Sequence, residues 1–484
     1  MLHTSHRRDF LRQSLLTPLA ALGFSQADAQ PKAKPAGFRA GAATSNITPE
    51  IGGPIVGGFR PEPSQHIHDE LHARCLVLEN GESRIALVVL DLLGADEAMF
   101  EEARKLSTAA TGLPGECLFV SCTHTHSAQS ALGQGRKFGK RELNDYQRFV
   151  AKRIADGVRR AIHNLAPAQV GWSMASEPRE VFNRRWFMKP GTVPVNPFGE
   201  TTDLVKMNPP RASANLEKPS GPTDPEVSVL AVRSPGGKPI AVYASYSLHY
   251  VGGTGPNEIS ADYFAVFCDQ LQQKLAADRQ SPPFVAMLSN GTSGNINNID
   301  FSKPGERSAP YARMREVADR VSDAALKAYQ SIAWKETATL GAKLEMLDVG
   351  HRHPTSEQLA RAKVLIAEAK DPKSLEYIYA QRTIQLVDWP DTIPLPLQVV
   401  RIGDVAIAGI PCEVFVETGL EYKAKSPLKP SFIVSMNNGY LGYLPTPEHH
   451  KLGGYETWLG TNRLEPQAST KILARLLQMT ASLK

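Results

Sequence analysis

Two histidines one residue apart follow a short apolar run in "CLFVSCTHTHS", which spans Cys117 to Ser127. Successive side chains of an extended chain alternate between faces, so His124 and His126 are predicted to share a face where a strand ends. Neutral imidazole is a common zinc ligand and titrates near neutral pH, so one ring can bind a metal while its neighbour transfers protons. The H-x-H pattern alone is equally typical of a solvated strand end.

Four other polar residues also follow apolar runs: His249 in "SYSLHYVGG", Ser293 in "LSNGTSGN", Glu413 in "GIPCEVF" and Tyr443 in "GYLGYLPT". The ends of strands in α/β sheets are where sites are usually built. Taken singly, the His, Glu and Tyr are more typical of hydrogen-bonded structural groups. The serine loop lacks the G-x-S-x-G elbow and by itself is typical of a tight turn. Spacing alone does not show whether these residues meet.

Strand-like and helical runs alternate along the chain, and this pattern predicts an α/β fold. We expect a mixed β-sheet core flanked by helices in a single large domain over residues 38–484. A polar, Pro-rich segment, 189–225, has no clear periodicity and is predicted to be an excursion over a cleft. The helices are predicted at 97–110, 145–164, 265–276, 311–330, 356–369, 374–386 and 467–483, with one more beginning after Glu417.

The amino terminus carries "RRDFL" (Arg7 to Leu11), then an apolar stretch from Leu15 to Phe24, then "ADA". This order predicts a twin-arginine export signal over residues 1–29, a linker over 30–37, and a periplasmic or secreted location. An amphipathic amino-terminal helix is the alternative interpretation. The apolar stretch is far shorter than the roughly 20 residues that span a bilayer, so no transmembrane segment is expected.

The formal net charge is +5, and loss of three Arg and two Asp with the signal would leave about +4. This charge is mild, and no basic cluster is interleaved with aromatic residues, so nucleic acid is not an expected partner. The five cysteines are odd in number and lack C-x-x-C spacing. They are predicted to be buried thiols, with a disulfide left open.

Several segments taken together resemble the neutral/alkaline (non-lysosomal) ceramidase family, from residue 38 to about Glu456. The pair formed by "THTHS" and the Y-x-x-Y…Y-E block is the more specific part of the resemblance. In chain order the segments are "FRAGAATSNITP", "IHDELHARCLVL", "THTHS", "FNRR", "SNGTSGN", "IPCE" and "GYLGYLPTPEHHKLGGYE".

The resemblance implies a catalytic domain with one Zn²⁺ per chain, held by His124, His249, Glu413 and Tyr443. It further implies a zinc-dependent hydrolase of linear amides, in which zinc-bound hydroxide attacks an N-acyl amide bond of ceramide or a related lipid. Two imidazoles and one carboxylate leave zinc enough positive charge to lower the pKa of water toward about 7. A phenol oxygen is a less common zinc ligand than these.

The same resemblance assigns catalytic roles to four further residues. His126 would take a proton from water and deliver it to the departing amine, as general acid/base. Arg184 and Tyr455 would donate to the oxyanion of the tetrahedral intermediate. Ser293 would position the polar head of the substrate, because a second nucleophile is unnecessary beside zinc hydroxide.

Three departures from the family pattern concern the substrate. The histidine motif continues as "THTHSAQ", the arginine motif reads "NRR", and the serine loop is short. We also expect the chain to be too short for the carboxy-terminal β-sandwich of known ceramidases. Two alternatives stay open: a carbohydrate-directed hydrolase or lyase on the same metal scaffold, and a non-catalytic periplasmic binding protein. The expected partner is a small-molecule or lipid N-acyl substrate, with at most transient contact with a membrane surface.

Overall fold

Three β-sheets, each containing one parallel pair of strands, form the centre of the structure. The computed structural model describes residues 37–58, 61–129, 131–133, 142–368 and 371–484, which belong to one compact unit, Gly37–Lys484. The predicted export signal, 1–29, and linker residues 30–36 lie outside the described residues.

The amino-terminal sheet has the strand order Leu118–Cys122, Arg84–Leu90, His72–Glu79, Arg39–Asn46 and Ala166–Pro167. The middle sheet has the order Gln169–Ser176, Glu226–Arg233, Pro239–Tyr246 and Val285–Asn290. The carboxy-terminal sheet has the order Leu340–Gly350, Thr392–Ile402, Val405–Gly409 and Ser431–Val434. Each sheet is antiparallel except for one parallel pair at its edge.

Short ladders connect the segments that surround the strand ends. They pair Glu62–Pro63 with Pro54–Val56 and Ala128–Gln129, His66–Ile67 with Glu258–Ile259, Phe182–Asn183 with Ile296–Asn297, and Glu413–Val414 with Tyr443–Leu444. A further three-stranded ladder contains Val205–Met207, Arg185–Met188 and Leu216–Pro219. Two of these last strands lie within the segment 189–225, in which the sequence shows no clear periodicity. The sequence did not reveal them because strands of three and four residues are too short to show a period of two.

Helices cover the outer faces of the three sheets. They are α1 Glu97–Thr111, α2 Asp145–His163, α3 Asp262–Lys274, α4 Ala312–Gln330, α5 Ser356–Glu368, α6 Leu375–Gln385, α7 Val416–Lys425, α8 Pro447–Leu452 and α9 Ala468–Ser482. Local sequence explains where two of them begin. Asp96 caps α1 by accepting from the Met99 amide, and Asn144 and Gln147 form a reciprocal capping box at α2.

Alternating side chains in the strands divide the core into layers. In the strand His72–Glu79, Cys75 and Val77 pack toward α1 and α2, whereas Leu76 and Leu78 face the other way. The second layer is shared, because it also contains residues of the middle and carboxy-terminal sheets such as Leu230 and Val400. The three sheets therefore pack around one apolar core, which holds their strand ends in fixed positions.

The α/β fold with a mixed sheet core and flanking helices, predicted from the alternation of runs, is confirmed by the structure. All five cysteines lie within the described residues as free thiols, four of them buried. Among the described residues, no helix is long and apolar enough to span a bilayer.

Close packing of α2 on the first strand depends on Gly41. A Cβ atom built there would lie 2.2 Å from the Ala161 carbonyl oxygen and 2.7 Å from the Leu165 amide nitrogen. Because both contacts are with backbone, Gly41→Ala should lower the free energy of unfolding by about 2 to 3 kcal/mol in urea denaturation. Gly236→Ala is the control, since its Cβ would meet only Ser234 Oγ at 3.9 Å. Equal stability of the two variants would contradict this packing.

Candidate active site

The carboxyl ends of the strands bring the candidate residues together. His124 follows the strand Leu118–Cys122, His249 follows Pro239–Tyr246, and Ser293 follows Val285–Asn290. Glu413 begins a two-residue strand that pairs in parallel with Tyr443–Leu444. Residues far apart in sequence thus reach one buried location because parallel pairs place their carboxyl ends side by side.

His124 is held by two backbone carbonyls, one bonded to its amide and one to its side chain. Its amide donates to the Leu92 carbonyl at 2.9 Å, and Nδ1 lies 2.7 Å from the Leu93 carbonyl oxygen. The carbonyl fixes the proton on Nδ1 and leaves the lone pair of Nε2 directed into the site. The residue has a φ of 68°, which is uncommon outside glycine.

His249 is fixed in the same way by the serine loop. Its Nδ1 lies 3.1 Å from the Ser293 carbonyl oxygen, so Nε2 carries the lone pair. Ser293 Oγ donates to Asn290 Oδ1 at 2.7 Å and lies 3.4 Å from His249 Nδ1. The serine is buried and its proton is used by Asn290, so the loop supports His249 from behind.

Glu413 faces both imidazoles. Its Oε2 lies 3.3 Å from His124 Nε2 and 3.6 Å from His249 Nε2, and Oε1 accepts from the Tyr440 hydroxyl at 2.7 Å. Burial alone would raise the pKa of Glu413, but the neighbouring His124, a hydrogen bond from Tyr443 and the charge of Arg184 lower it instead. The carboxyl is therefore ionised at neutral pH and able to bind a cation.

His126 lies at the mouth of this group. Its Nε2 is 3.1 Å from His124 Nε2, and its ring stacks on Tyr250 with centroids 3.7 Å apart. Its ring also packs against Gly57, where φ is 137° and an added Cβ would lie 2.6 Å from the imidazole. Burial, and then the neighbouring His124, lowers the pKa of His126 well below 6.5, so the ring is neutral at pH 7.

Arg184 connects Tyr443 to the serine loop. Its Nη2 donates to the Tyr443 hydroxyl at 2.9 Å and to the Gly294 carbonyl at 2.8 Å, and its Nε donates to Glu456 Oε1 at 3.2 Å. Burial opposes the charge of Arg184, but attraction to Tyr443 and Glu456 raises its pKa, so the guanidinium stays charged. Burial raises the pKa of Tyr443 well above 10, which makes it a phenol when no metal is bound.

Tyr455 lies on the far side of Tyr443, with ring centroids 5.8 Å apart in an edge-on arrangement. Burial raises its pKa as well. The structure thus gathers all eight residues that the sequence nominated, and each touches another member or its immediate neighbour. They are His124, His126, Arg184, His249, Ser293, Glu413, Tyr443 and Tyr455.

Four residues that complete the site were missed at the sequence level. Tyr440 bonds to Glu413, Tyr250 stacks on His126, Asn290 accepts from Ser293, and Glu456 pairs with Arg184. Each of the four lies within three residues of a nominated residue. Their sequence neighbourhood was therefore visible, but only the structure shows which neighbours turn inward.

The donor set fits a divalent metal ion. The ligand atoms of His124, His126 and His249 all lie within 4.8 Å of one another, and Glu413 Oε2 lies within 3.6 Å of two of them. Two ligands at about 2 Å from one tetrahedral ion are about 3.3 Å apart. His249 Nε2 and Glu413 Oε2 are buried and have no hydrogen-bond partner among the described residues. A cation between them would satisfy both atoms.

The metal-free protein should lose stability as the pH falls. Burial and nearby charges lower the pKa of His126 and His249 well below 6.5, whereas the unfolded chain takes up protons near 6.5. Below that pH the unfolded state binds more protons, so the free energy of unfolding falls by about 1 kcal/mol per group and pH unit. Urea denaturation of chelated protein between about pH 7.5 and 5.5 measures this slope. The H126Q/H249Q variant should flatten it, and an unchanged slope would contradict the burial of neutral imidazoles.

Comparison with known proteins supports the fold. No family model and no curated relative matches this sequence. Among solved structures, neutral ceramidase from Pseudomonas aeruginosa superposes with a TM-score of 0.67 and 18% identity, over 92% of this chain and 74% of that one. A ceramidase complexed with C2 gives a TM-score of 0.66 and 16% identity, over 92% and 75%. At such identities the likeness shows the fold alone: the chain has a neutral-ceramidase-like fold.

Proposed function

We propose that this chain is a zinc-dependent amidohydrolase that cleaves an N-acyl amide bond of the ceramide type. The observation that carries this proposal is the convergence of His124 Nε2, His249 Nε2 and Glu413 Oε2, two of which lack any other partner among the described residues. The ceramidase-like fold of the two solved structures supports the same reaction class.

His124, His249 and Glu413 would hold the zinc ion, and Tyr443 would add a phenol oxygen from the paired strand. Nitrogen and oxygen ligands in this number are typical of catalytic zinc sites. When bound, zinc supplies Lewis acidity, which polarises a carbonyl and lowers the pKa of water from 15.7 toward about 7.

His126 is the general acid/base in this proposal. Its ring is neutral at pH 7 and is held by Tyr250 at the mouth of the group, so it can accept a proton from the attacking water. The water oxygen bonds to the amide carbon, the carbon–nitrogen bond breaks, and His126 returns the proton to the departing nitrogen. The products are a carboxylic acid and an amine, which ionise to a carboxylate and an ammonium group at neutral pH.

Arg184 and Tyr455 are the proposed stabilisers of negative charge on the amide oxygen. Arg184 is buried and oriented by Glu456 and the Gly294 carbonyl, so its charge is fixed before the substrate binds. Ser293 is a positioning residue here, because its hydroxyl bonds to Asn290 and its carbonyl orients His249. Because the serine hydroxyl donates its proton to Asn290, it is not activated as a nucleophile.

The predicted export signal over residues 1–29 is the basis for proposing a periplasmic or secreted location. The basic start, the short apolar segment and the A-x-A end all stand in the sequence, outside the described residues.

Metal analysis tests the ligand set. Purified wild-type protein should contain about one zinc per chain and hydrolyse a fluorescent N-acyl sphingosine. H124A should lose the metal and the activity together, since it removes a central ligand. H163A is the matched control, because His163 is an exposed histidine at the end of α2 and should keep both. Unchanged zinc in H124A, or zinc-loaded wild type without amidase activity, would overturn the proposal.

A second variant distinguishes the metal ligands from the proposed general acid/base, His126. H126Q should retain zinc while kcat falls by about 10²- to 10⁴-fold, because only proton transfer is removed. The measurement pairs metal analysis with steady-state kinetics. Loss of zinc from H126Q would make His126 a third imidazole ligand instead.

A further inference from the structure

Tyr440 is a half-buried residue of the site to which the proposed reaction gives no role. Its hydroxyl donates to Glu413 Oε1 at 2.7 Å. The other oxygen, Oε2, faces the two imidazoles at 3.3 and 3.6 Å and has no hydrogen-bond partner within the described part of the chain. The two oxygens of one carboxylate are therefore in different surroundings, because one bonds to a phenol and the other points at the candidate metal position.

The backbone fixes Tyr440 relative to both segments that supply ligands. The tyrosine ends a turn over residues 436–440, and the Met436 amide at its start donates to the Cys412 carbonyl at 3.2 Å. The Met436 carbonyl accepts from the Cys122 amide, also at 3.2 Å. Cys412 directly precedes the glutamate, and Cys122 ends the strand that leads to the first histidine. The position of the Tyr440 hydroxyl is thus tied to the positions of both ligands.

The ring of Tyr440 is held by packing that does not involve its hydroxyl. It lies against the apolar cluster that includes Leu92 and Met436, and its centroid is 6.3 Å from that of His124. A Cβ atom built at Gly94 would meet the ring at 3.5 Å, which is ordinary contact. Replacing the tyrosine by phenylalanine therefore removes the bond to Glu413 and leaves the ring in place.

A carboxylate can rotate about its last side-chain bond, so the orientation of its oxygens must be fixed before one of them binds a metal ion. Hydrogen bonds to metal-ligating carboxylates supply this orientation, and loss of such a partner typically costs about 10- to 100-fold in metal affinity or activity. A bond that occupies Oε1 also favours binding through Oε2 alone. One bound oxygen leaves a coordination position open, as catalytic zinc sites require.

We propose that Tyr440 is a positioning residue of the metal site, whose hydroxyl orients the Glu413 carboxylate so that Oε2 alone binds the ion. This inference rests on the proposed function, in which Glu413 is one of the zinc ligands. Tyr440 itself contacts neither the ion nor the substrate in this proposal, and it acts only through the glutamate.

Zinc affinity without substrate tests this role. Y440F should bind zinc with a Kd about 10- to 100-fold higher than that of the wild type, measured by competition with a chelator. Y422F is the matched control, because it removes another buried phenol hydroxyl, which lies 2.7 Å from Thr480 Oγ1 in the contact of α7 with α9. Its Kd should equal that of the wild type. An unchanged Kd in Y440F, or equal weakening in both variants, would overturn the proposal.

Stability measurements separate positioning from a general loss of packing. At a free zinc concentration far above every Kd, the stabilisation that zinc confers in urea denaturation should be about 1.4 to 2.8 kcal/mol smaller for Y440F than for the wild type, which is the same fold-change in Kd. Y422F should retain the full stabilisation by zinc. In zinc-loaded wild-type crystals, Oε1 should remain bonded to Tyr440, and binding of the ion through Oε1 would overturn the proposal.

Hydrolysis of a fluorescent N-acyl sphingosine distinguishes failure of this inference from failure of the proposed function. An active, zinc-binding wild type with an unchanged Kd in Y440F would overturn the role of Tyr440 alone. Weaker zinc binding by Y440F, beside a zinc-loaded wild type that is inactive, would uphold that role and overturn the amidase. A wild type that does not bind zinc would overturn both.

Discussion

Three buried ligand atoms that face one another are the constraint on which this site depends. Backbone carbonyls hold the protons of His124 and His249 on Nδ1, so both Nε2 lone pairs face Glu413 Oε2, at 3.3 and 3.6 Å. Burying these atoms without a positive charge between them is costly, because His249 Nε2 and Glu413 Oε2 have no hydrogen-bond partner among the described residues. A divalent cation removes that cost, and the remaining contacts of the site can be understood as support for it.

The three packed sheets of the fold provide this support. Three sheets share one apolar core, and the loops that follow their parallel strands supply His124, His249 and Ser293. Outside this group, Glu456 is wholly buried and bonds to both Arg184 and Arg185, which fixes the guanidinium that contacts Tyr443. Preorganised charge of this kind needs no rearrangement when negative charge develops on a substrate. The geometry of the site therefore derives from packing that is present before any ligand arrives.

Much of the fold could be predicted from the sequence, because period and capping residues determine most of the helices. The helix predicted at 145–164 is α2, Asp145–His163, and the one predicted at 467–483 is α9, Ala468–Ser482. The short strands Val205–Met207 and Leu216–Pro219 were missed, since tertiary pairing with Arg185–Met188 rather than local pattern defines them.

The site was less predictable than the fold. The spacing of His124 and His126 predicted that the two side chains share a face, and their Nε2 atoms are 3.1 Å apart. That prediction assumed an extended chain, whereas the backbone at His124 has a positive φ. The distant residues His249, Glu413 and Tyr443 came from a family resemblance, because no periodicity connects positions so far apart. Tyr440 belongs to the Y-x-x-Y element but was given no role, and Tyr250 has no sequence signal of its own. The structure shows that Tyr440 bonds to Glu413 and that Tyr250 stacks on His126.

Anomalous diffraction at the zinc edge, from crystals of the zinc-loaded protein, locates the metal ion among these residues. We expect one strong peak at about 2.0–2.2 Å from each of His124 Nε2, His249 Nε2 and Glu413 Oε2. A peak elsewhere in the molecule, or fully occupied crystals in which one of these three atoms lies outside the coordination sphere, would contradict it.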